Sequence, residues 1–342
     1  MTDASKIKIC LYLEFYHFLN GIIYKNTGTG LLSSYENQKK SLASLGLDFT
    51  EKWDDSCDIL QINTPWLKSI YLIKKARRQG KKVIIWSHVT VEDFKQVFRF
   101  NKFLAALMKK YLTYAYGLAD LVFCPSQYTK SLLLGYGLPE EKLAVQSNGV
   151  DRKIYYQDNP KRETARKQYN CRGIVLGTVG LAIPRKGVRS FINLARRFPQ
   201  HQFIWFGKIY SQLMVKSLPK KLPPNVRFTG YVDDINAAFN ALDIFLFLSY
   251  EENQGMVILE AAAVGLPMLI RRIPTYQGWL VHNQNCLLAE NDDELEKYLR
   301  QLLPDADLKK RLSAGGELLA QKEDIVVQNK KLLAAYQKLF RT

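Results

Sequence analysis

The chain runs to 342 residues, 47% hydrophobic and 24% charged, with a formal net charge of +17. That length asks for two domains rather than one core, and the composition is that of a soluble globular protein. Repeat arrays and low-complexity chains are excluded, no apolar run reaches the ~18–20 residues a spanning helix needs, and five scattered cysteines without a C-x-x-C suggest neither a disulfide framework nor a metal site.

In chain order, Lys8–Leu13 reads as a strand, and Glu14 interrupts the apolar character that a secretory signal would need. Gly28-Thr-Gly30 is a turn that opens a helix over Ser33–Leu45, ended by Gly46; it is not a full G-x-G-x-x-G, so no dinucleotide site is implied. Ile59–Ile62 is a short strand, followed by a helix from Pro65 to Arg78. Val83–Trp86 is a buried strand with His88 just past its C-terminal end, where a ligand of an α/β sheet lies. After a basic helix come the strand Leu121–Cys124 and Ser126, an N-cap for a helix over Gln127–Leu134. Asn148-Gly-Val-Asp151 and the polar stretch to Asn170 read as the domain linker.

A second alternating series follows: the strand Ile174–Val179, a helix near Val188–Phe198, strands Phe203–Phe206 and Val226–Thr229, and a helix near Ile235–Leu242. The apolar strand Ile244–Leu248 and the helix Met256–Val264 come next. The chain closes in helices near Asp292–Leu303, Ala306–Ala320 and Asp324–Phe340. Strands alternating with helices of this size predict parallel βαβ units. The expected fold is α/β: two Rossmann-like, doubly wound domains, 1–160 and 161–342, facing a cleft, with a last helix long enough to fold back on the first domain.

The charge is uneven. Between Lys68 and Lys110 there are twelve basic residues against Glu92 and Asp93, which implies an anionic partner surface. From Phe100 to Ala115 apolar residues recur at helical spacing with lysines off the stripe, the pattern of a helix lying in a bilayer interface or of a core-packed helix with a basic back. Either way the excess of cations favours anionic lipid. Arg99, Lys102, Phe103, Leu107, Lys109 and Lys110 are the candidate membrane-contacting residues. A nucleic-acid-binding protein is the rival from another class, but no recognition motif accompanies the patch, and nucleic acid is not an expected partner.

The most informative segment is Ser249-Tyr-Glu-Glu-Asn-Gln-Gly-Met-Val-Ile-Leu-Glu260, in which Glu252 and Glu260 flank seven residues. One carboxylate falls in the loop at a strand's end and the other on the first turns of the following helix. The N–H groups of Asn253, Gln254 and Gly255 are then free to meet an anionic or polyhydroxylated ligand. Gly180-Leu-Ala-Ile-Pro-Arg185-Lys186-Gly187 ends the first strand of the second half, and its paired cations suit a diphosphate.

Together with Asn148-Gly-Val-Asp151, these segments resemble the family 4 retaining glycosyltransferases, and the likeness covers essentially the whole chain. More narrowly, Trp86-Ser-His88 through Asp93-Phe, Cys124-Pro-Ser through Lys130, and Pro274-Thr-Tyr-Gln-Gly-Trp279 are similar to the bacterial glucosyl- and diglycosyl-diacylglycerol synthases. The resemblance implies the GT-B fold, no metal or other cofactor, and UDP-glucose or UDP-galactose as donor. The implied acceptor is diacylglycerol or monoglucosyl-diacylglycerol, taken at the cytoplasmic face of the membrane; a cell-wall or polysaccharide intermediate is the alternative. It implies that Glu260 binds the ribose hydroxyls and Glu252 the hexose, with the amides of Asn253, Gln254 and Gly255 in support. Lys186 and Arg185 would neutralise the diphosphate near Gly180, His88 would approach the transferred sugar, and the loop of Gly30 would meet the phosphates. His88, Glu252 and Lys186 are the catalytic candidates. This chain has Leu181 where the family often has arginine, and Asn253 where glycine is common.

Overall fold

The structure, a computed structural model, describes residues 7–14, 16, 30–93, 102–209 and 221–340. Arg99, Phe100 and the Gly28-Thr29 part of the first glycine turn lie outside them, as do the side chains of Lys102 and Phe103.

The first lobe follows the order β1 (Lys8–Tyr12), α1 (Gly30–Ser44), β2 (Asp48–Thr50), β3 (Ile59–Ile62), α2 (Leu67–Arg78), β4 (Lys82–Trp86), α3 (Lys102–Gly117), β5 (Leu121–Cys124), α4 (Gln127–Gly135) and β6 (Leu143–Val145). Its six strands are parallel in the order β2-β1-β3-β4-β5-β6. Two helix starts differ from expectation. The first helix begins at Gly30, which therefore starts a helix rather than sitting in a free turn. The second begins after Trp66 and not at Pro65, because the buried Glu14 carboxylate caps it, accepting from the N–H groups of Lys68 (3.1 Å) and Ser69 (2.7 Å). A residue that read as a break in the apolar opening is thus a helix cap contributed from another element.

The second lobe holds α5 (Asn159–Gln168), β7 (Val175–Val179), α6 (Val188–Arg197), β8 (Gln202–Phe206), β9 (Val226–Gly230), α7 (Ile235–Asn240), β10 (Ile244–Phe247), α8 (Met256–Ala263), β11 (Met268–Arg271) and β12 (Leu287–Ala289). The helices α9 (Asp292–Leu302), α10 (Ala306–Lys322) and α11 (Ile325–Lys338) close the chain. The sheet order is β12-β11-β10-β7-β8-β9, again all parallel. The stretch expected to be a polar linker up to Asn170 carries α5 instead. Asp158 caps it, and Arg162 and Arg166 tie it to Asp243 of the second lobe. Its polar sequence reflects one solvated face, not a lack of structure.

Each sheet is covered on both faces, which is why its strands read as unbroken apolar runs. One face of the first sheet is sealed by α11: Leu332 and Tyr336 pack beside Tyr35, Trp86 and Phe123, and the Tyr336 hydroxyl donates to Gln61 at 2.6 Å. The last helix therefore does cross back to the first lobe.

Candidate active site

In the second sheet the chain order reverses between β7 and β10, so their two C-terminal loops open the crevice where ligands of doubly wound sheets bind. Both sequence motifs leave from these strands. The close approach of the loops is possible because residue 187 is glycine: its φ is +78°, and a Cβ there would lie 2.1 Å from the Leu248 carbonyl oxygen. The contact is fixed by the Tyr250 N–H donating to the Arg185 carbonyl at 2.9 Å.

The juxtaposition brings the predicted cations onto the predicted carboxylate. Lys186 Nζ is ion-paired to Glu252 Oε1, and the Arg185 guanidinium lies 3.7 Å from the same oxygen and 3.6 Å from Asp93 of the first lobe. Ser249 Oγ donates to Glu252 at 2.6 Å. Burial alone would push the Glu252 pKa up, but Lys186 and Arg185 outweigh it and hold the group below its ordinary value. Burial draws Lys186 down, against the pull of Glu252. Arg185 Nε is buried without a partner among the described residues, so the cluster retains an unused cationic donor.

Glu260, on α8, is 6% exposed and has no cation among the influences on it; burial pushes its pKa up to about 7, partly offset by a hydrogen bond from Tyr155. The paired acids are thus electrostatically unlike, one held ionised and one poised near neutrality. Gly255 caps α8 with φ at +84°. The N–H groups of Asn253, Gln254 and Gly255 find no protein acceptor among the described residues, which leaves them for a ligand. Gly180 turns the end of β7 at φ +132°.

Across the cleft, His88 stacks on Trp86 with ring centroids 5.6 Å apart, and burial lowers its pKa to about 4, so the imidazole is neutral at physiological pH. The two lobes touch at the donor loop. Asn253 Nδ2 donates to the His88 carbonyl (3.0 Å) and to Asp93 (2.7 Å), while Gln254 reaches Asn148 and Ser147. Glu251 faces Tyr128 of the first lobe, and its pKa is raised to about 7 by burial and then by Asp93. Asp93, Glu251, Tyr155 and Asn148 were not assigned roles from sequence. The signal for the cross-cleft contacts was Asn253 itself, a side chain where glycine is common. Among the described residues no group of three His, Cys, Asp or Glu converges as a metal site.

The membrane candidates divide. Along α3, Leu112 and Ala115 are fully buried, whereas Leu104 and Leu107 are 54% and 57% exposed. The apolar stripe therefore serves core and surface in succession. Lys110 is exposed, but Lys109 folds back to donate to the Gly135 carbonyl (2.8 Å) and lies over the Tyr136 ring. Beside α3 runs α2, linked by Tyr111 to the Pro65 carbonyl and by Lys74 over Tyr114. On α2, Leu67 is 82% exposed and Tyr71 64%. No helix of the described residues is long and apolar enough to cross a membrane.

Two lobes, each built on a parallel six-stranded sheet with a crevice at the second sheet's reversal, give the chain the GT-B architecture. The chain belongs to the group 1 and family 4 glycosyltransferases: residues 173–305 match Glycosyl transferases group 1, and residues 39–153 match Glycosyltransferase Family 4. It is 31% identical, over 98% of its length and 99% of the relative's, to the processive diacylglycerol alpha-glucosyltransferase of Acholeplasma laidlawii. It is 27% identical to the alpha-galactosylglucosyldiacylglycerol synthase of Streptococcus pneumoniae, over 76% of this chain and 73% of that one. Its fold is that of Anabaena Alr3699/HepE, solved in complex with UDP-glucose, at a TM-score of 0.76 and 18% identity, covering 97% of this chain and 99% of the other. The glycosyltransferase WaaG shares the fold at a TM-score of 0.66 and 18% identity, over 96% and 98% of the two chains.

Proposed function

We propose that this enzyme transfers a hexose from a UDP-hexose, with retention at the anomeric carbon, to a diacylglycerol-based glycolipid at the cytoplasmic face of the membrane. The preferred acceptor is monoglucosyl-diacylglycerol and the product a diglycosyl lipid. The observation that carries the donor half is the Glu252–Lys186–Arg185 cluster at the reversal of the second sheet, with free backbone N–H groups in the same loop and Glu260 on the helix that follows it. The uridine ribose hydroxyls meet Glu260, and the hexose hydroxyls meet Glu252 and the amides of residues 253–255. Arg185 and Lys186 supply the positive charge for the departing diphosphate without a metal ion. Glu252 is already committed to Lys186 and Ser249, which suits a hydrogen-bond acceptor for hydroxyls better than a nucleophile. The proton of the attacking acceptor hydroxyl goes to the leaving phosphate on the same face of the sugar, and His88 lies near the transferred hexose.

For the acceptor, the support is the exposed ridge of Leu67, Tyr71, Leu104 and Leu107 flanked by the exposed Lys68, Lys74 and Lys110, together with the acceptors named for the two relatives. Apolar side chains entering the acyl boundary beneath a rim of lysines are the chemistry of a protein resting on an anionic leaflet. Incubation with UDP-glucose or UDP-galactose and either diacylglycerol or monoglucosyl-diacylglycerol, followed by thin-layer analysis of the lipids, tests the proposal. A new, slower-migrating glycolipid is expected. Hydrolysis of the donor without a lipid product, or transfer only to a soluble saccharide, would remove the lipid acceptor from the account.

A further inference from the structure

A buried chain of hydrogen bonds links the donor loop to His88, and its direction can be worked out atom by atom. The Asn148 backbone N–H can only donate, and it points at Gln254 Oε1, 3.0 Å away. The Asn148 side-chain atom 2.7 Å from that same oxygen must then be the amide nitrogen, which turns Oδ1 toward Ser34. Ser34 consequently spends its one hydroxyl proton on Asn148, at 2.5 Å. From the other side Gln38 Nε2 donates to Ser34 Oγ at 3.2 Å. The orientation of Gln38 is set in turn by Asn63, whose Nδ2 faces the Tyr12 carbonyl and whose Oδ1 faces Gln38. With its proton committed, Ser34 can only accept from His88 Nε2, 3.2 Å away.

We infer that Ser34, Asn148 and Gln254 are positioning residues that hold His88 as the Nε2–H tautomer, leaving Nδ1 as a lone-pair acceptor for a hydroxyl of the hexose. This rests on the reading that His88 faces the transferred sugar and adds to it the identity of the acting nitrogen. Ser34, Asn148 and Gln254 are all less than a tenth exposed, so the shared proton is shielded from bulk solvent. Nδ1 makes no hydrogen bond among the described residues. Because Gln254 sits in the Glu252 loop, the tautomer is coupled to the seating of that loop against the first lobe. If Gln254 moves away, Asn148 is released, Ser34 can turn its proton toward the imidazole, and the tautomer preference is lost.

The test starts on the unmodified protein. Long-range ¹⁵N–¹H correlation of its four histidines, with His88 assigned by its absence in His88→Gln, should show a neutral His88 ring at pH 7 protonated at Nε2. A ring protonated at Nδ1, or doubly protonated, would overturn the inference. In Ser34→Ala the pattern should shift toward a mixture of tautomers and kcat should fall roughly tenfold with KM for the donor changed less than threefold, whereas Ser34→Thr, which keeps the hydroxyl, should restore both. An unchanged kcat in Ser34→Ala would dismiss the relay even if the tautomer is as stated. The underlying reading fails separately: full activity in His88→Ala removes His88 from the sugar site while the imidazole spectrum of the parent protein stands.

Discussion

The two lobes share one architecture and solve opposite problems. At the second lobe's crevice, charge is paired within the protein: Lys186 and Arg185 close on the buried Glu252, and Ser249 and Thr275 hold the same loop at 2.6 and 2.7 Å. In the first lobe, apolar bulk and lysines are left on the surface, with Leu67 and Tyr71 on one helix and Leu104 and Leu107 on the next. A site that binds a diphosphate gains from charges fixed beforehand, because they need not reorganise as negative charge develops. A surface that meets a lipid leaflet gains from groups that no internal partner has claimed. On the proposed function, the contrast separates donor recognition from acceptor recognition by where each lobe satisfies its side chains.

The sharpest way to break this comparison is Lys186→Ala. It strands a buried carboxylate, costing about 3–5 kcal/mol locally, and, on the proposed function, removes a cation from the leaving group. We expect kcat to drop by about 10²–10³-fold, with a smaller change in UDP affinity by calorimetry; unchanged turnover would mean that the pair is scaffolding only. Next in size, Tyr336→Ala should destabilise the first lobe by about 3–5 kcal/mol. Hydrogen exchange should report faster opening of β3, β4 and β5 while β7 and β10 stay protected. Equal loss in both lobes would show that α11 does not serve the first lobe selectively.

The surface side is tested by Leu107→Ser with Lys110→Glu, measured by sedimentation with phosphatidylglycerol vesicles. With about 1 kcal/mol expected per lysine at such a surface, binding should weaken by at least roughly tenfold with turnover on a detergent-solubilised acceptor retained. Lys110 is the better choice over Lys109, which is held by Gly135. The smallest expected effect concerns Glu260: with a pKa of about 7, the carboxylate proposed to accept the ribose hydroxyls is fully ionised only above that pH. UDP affinity should therefore fall about tenfold between pH 8 and pH 6. Glu260→Gln, which cannot titrate, should flatten that part of the profile; the same slope in the variant would assign it to the nucleotide instead.

Much of this was legible in the sequence because the relevant information is local. Ile244 to Leu248 is apolar throughout since the strand is buried on both faces, and the E-x7-E spacing spans one loop and little more than the first turn of a helix. The placement of Ser126 as a cap and of His88 past a strand needed no tertiary knowledge. Other features were not legible. Glu14 caps a helix more than fifty residues away; α5 hides in a polar stretch because its stabilising partner, Asp243, lies in a distant element; and β2, β6, β11 and β12 are strands of three or four residues, too short to carry a periodic signal.

What the sequence settled by itself was most of the alternating order of strands and helices, the position of the crevice and the chemical types gathered at it, since these follow from periodicity and from which loop follows which strand. What only the tertiary structure decided was which groups satisfy one another. The cations meant for a phosphate rest on Glu252, the stripe on α3 is divided between core and surface, and the side chains of Asn253 and Gln254 join the lobes. Those pairings depend on distances between elements far apart in the chain, and a side chain's sequence neighbours carry no record of them.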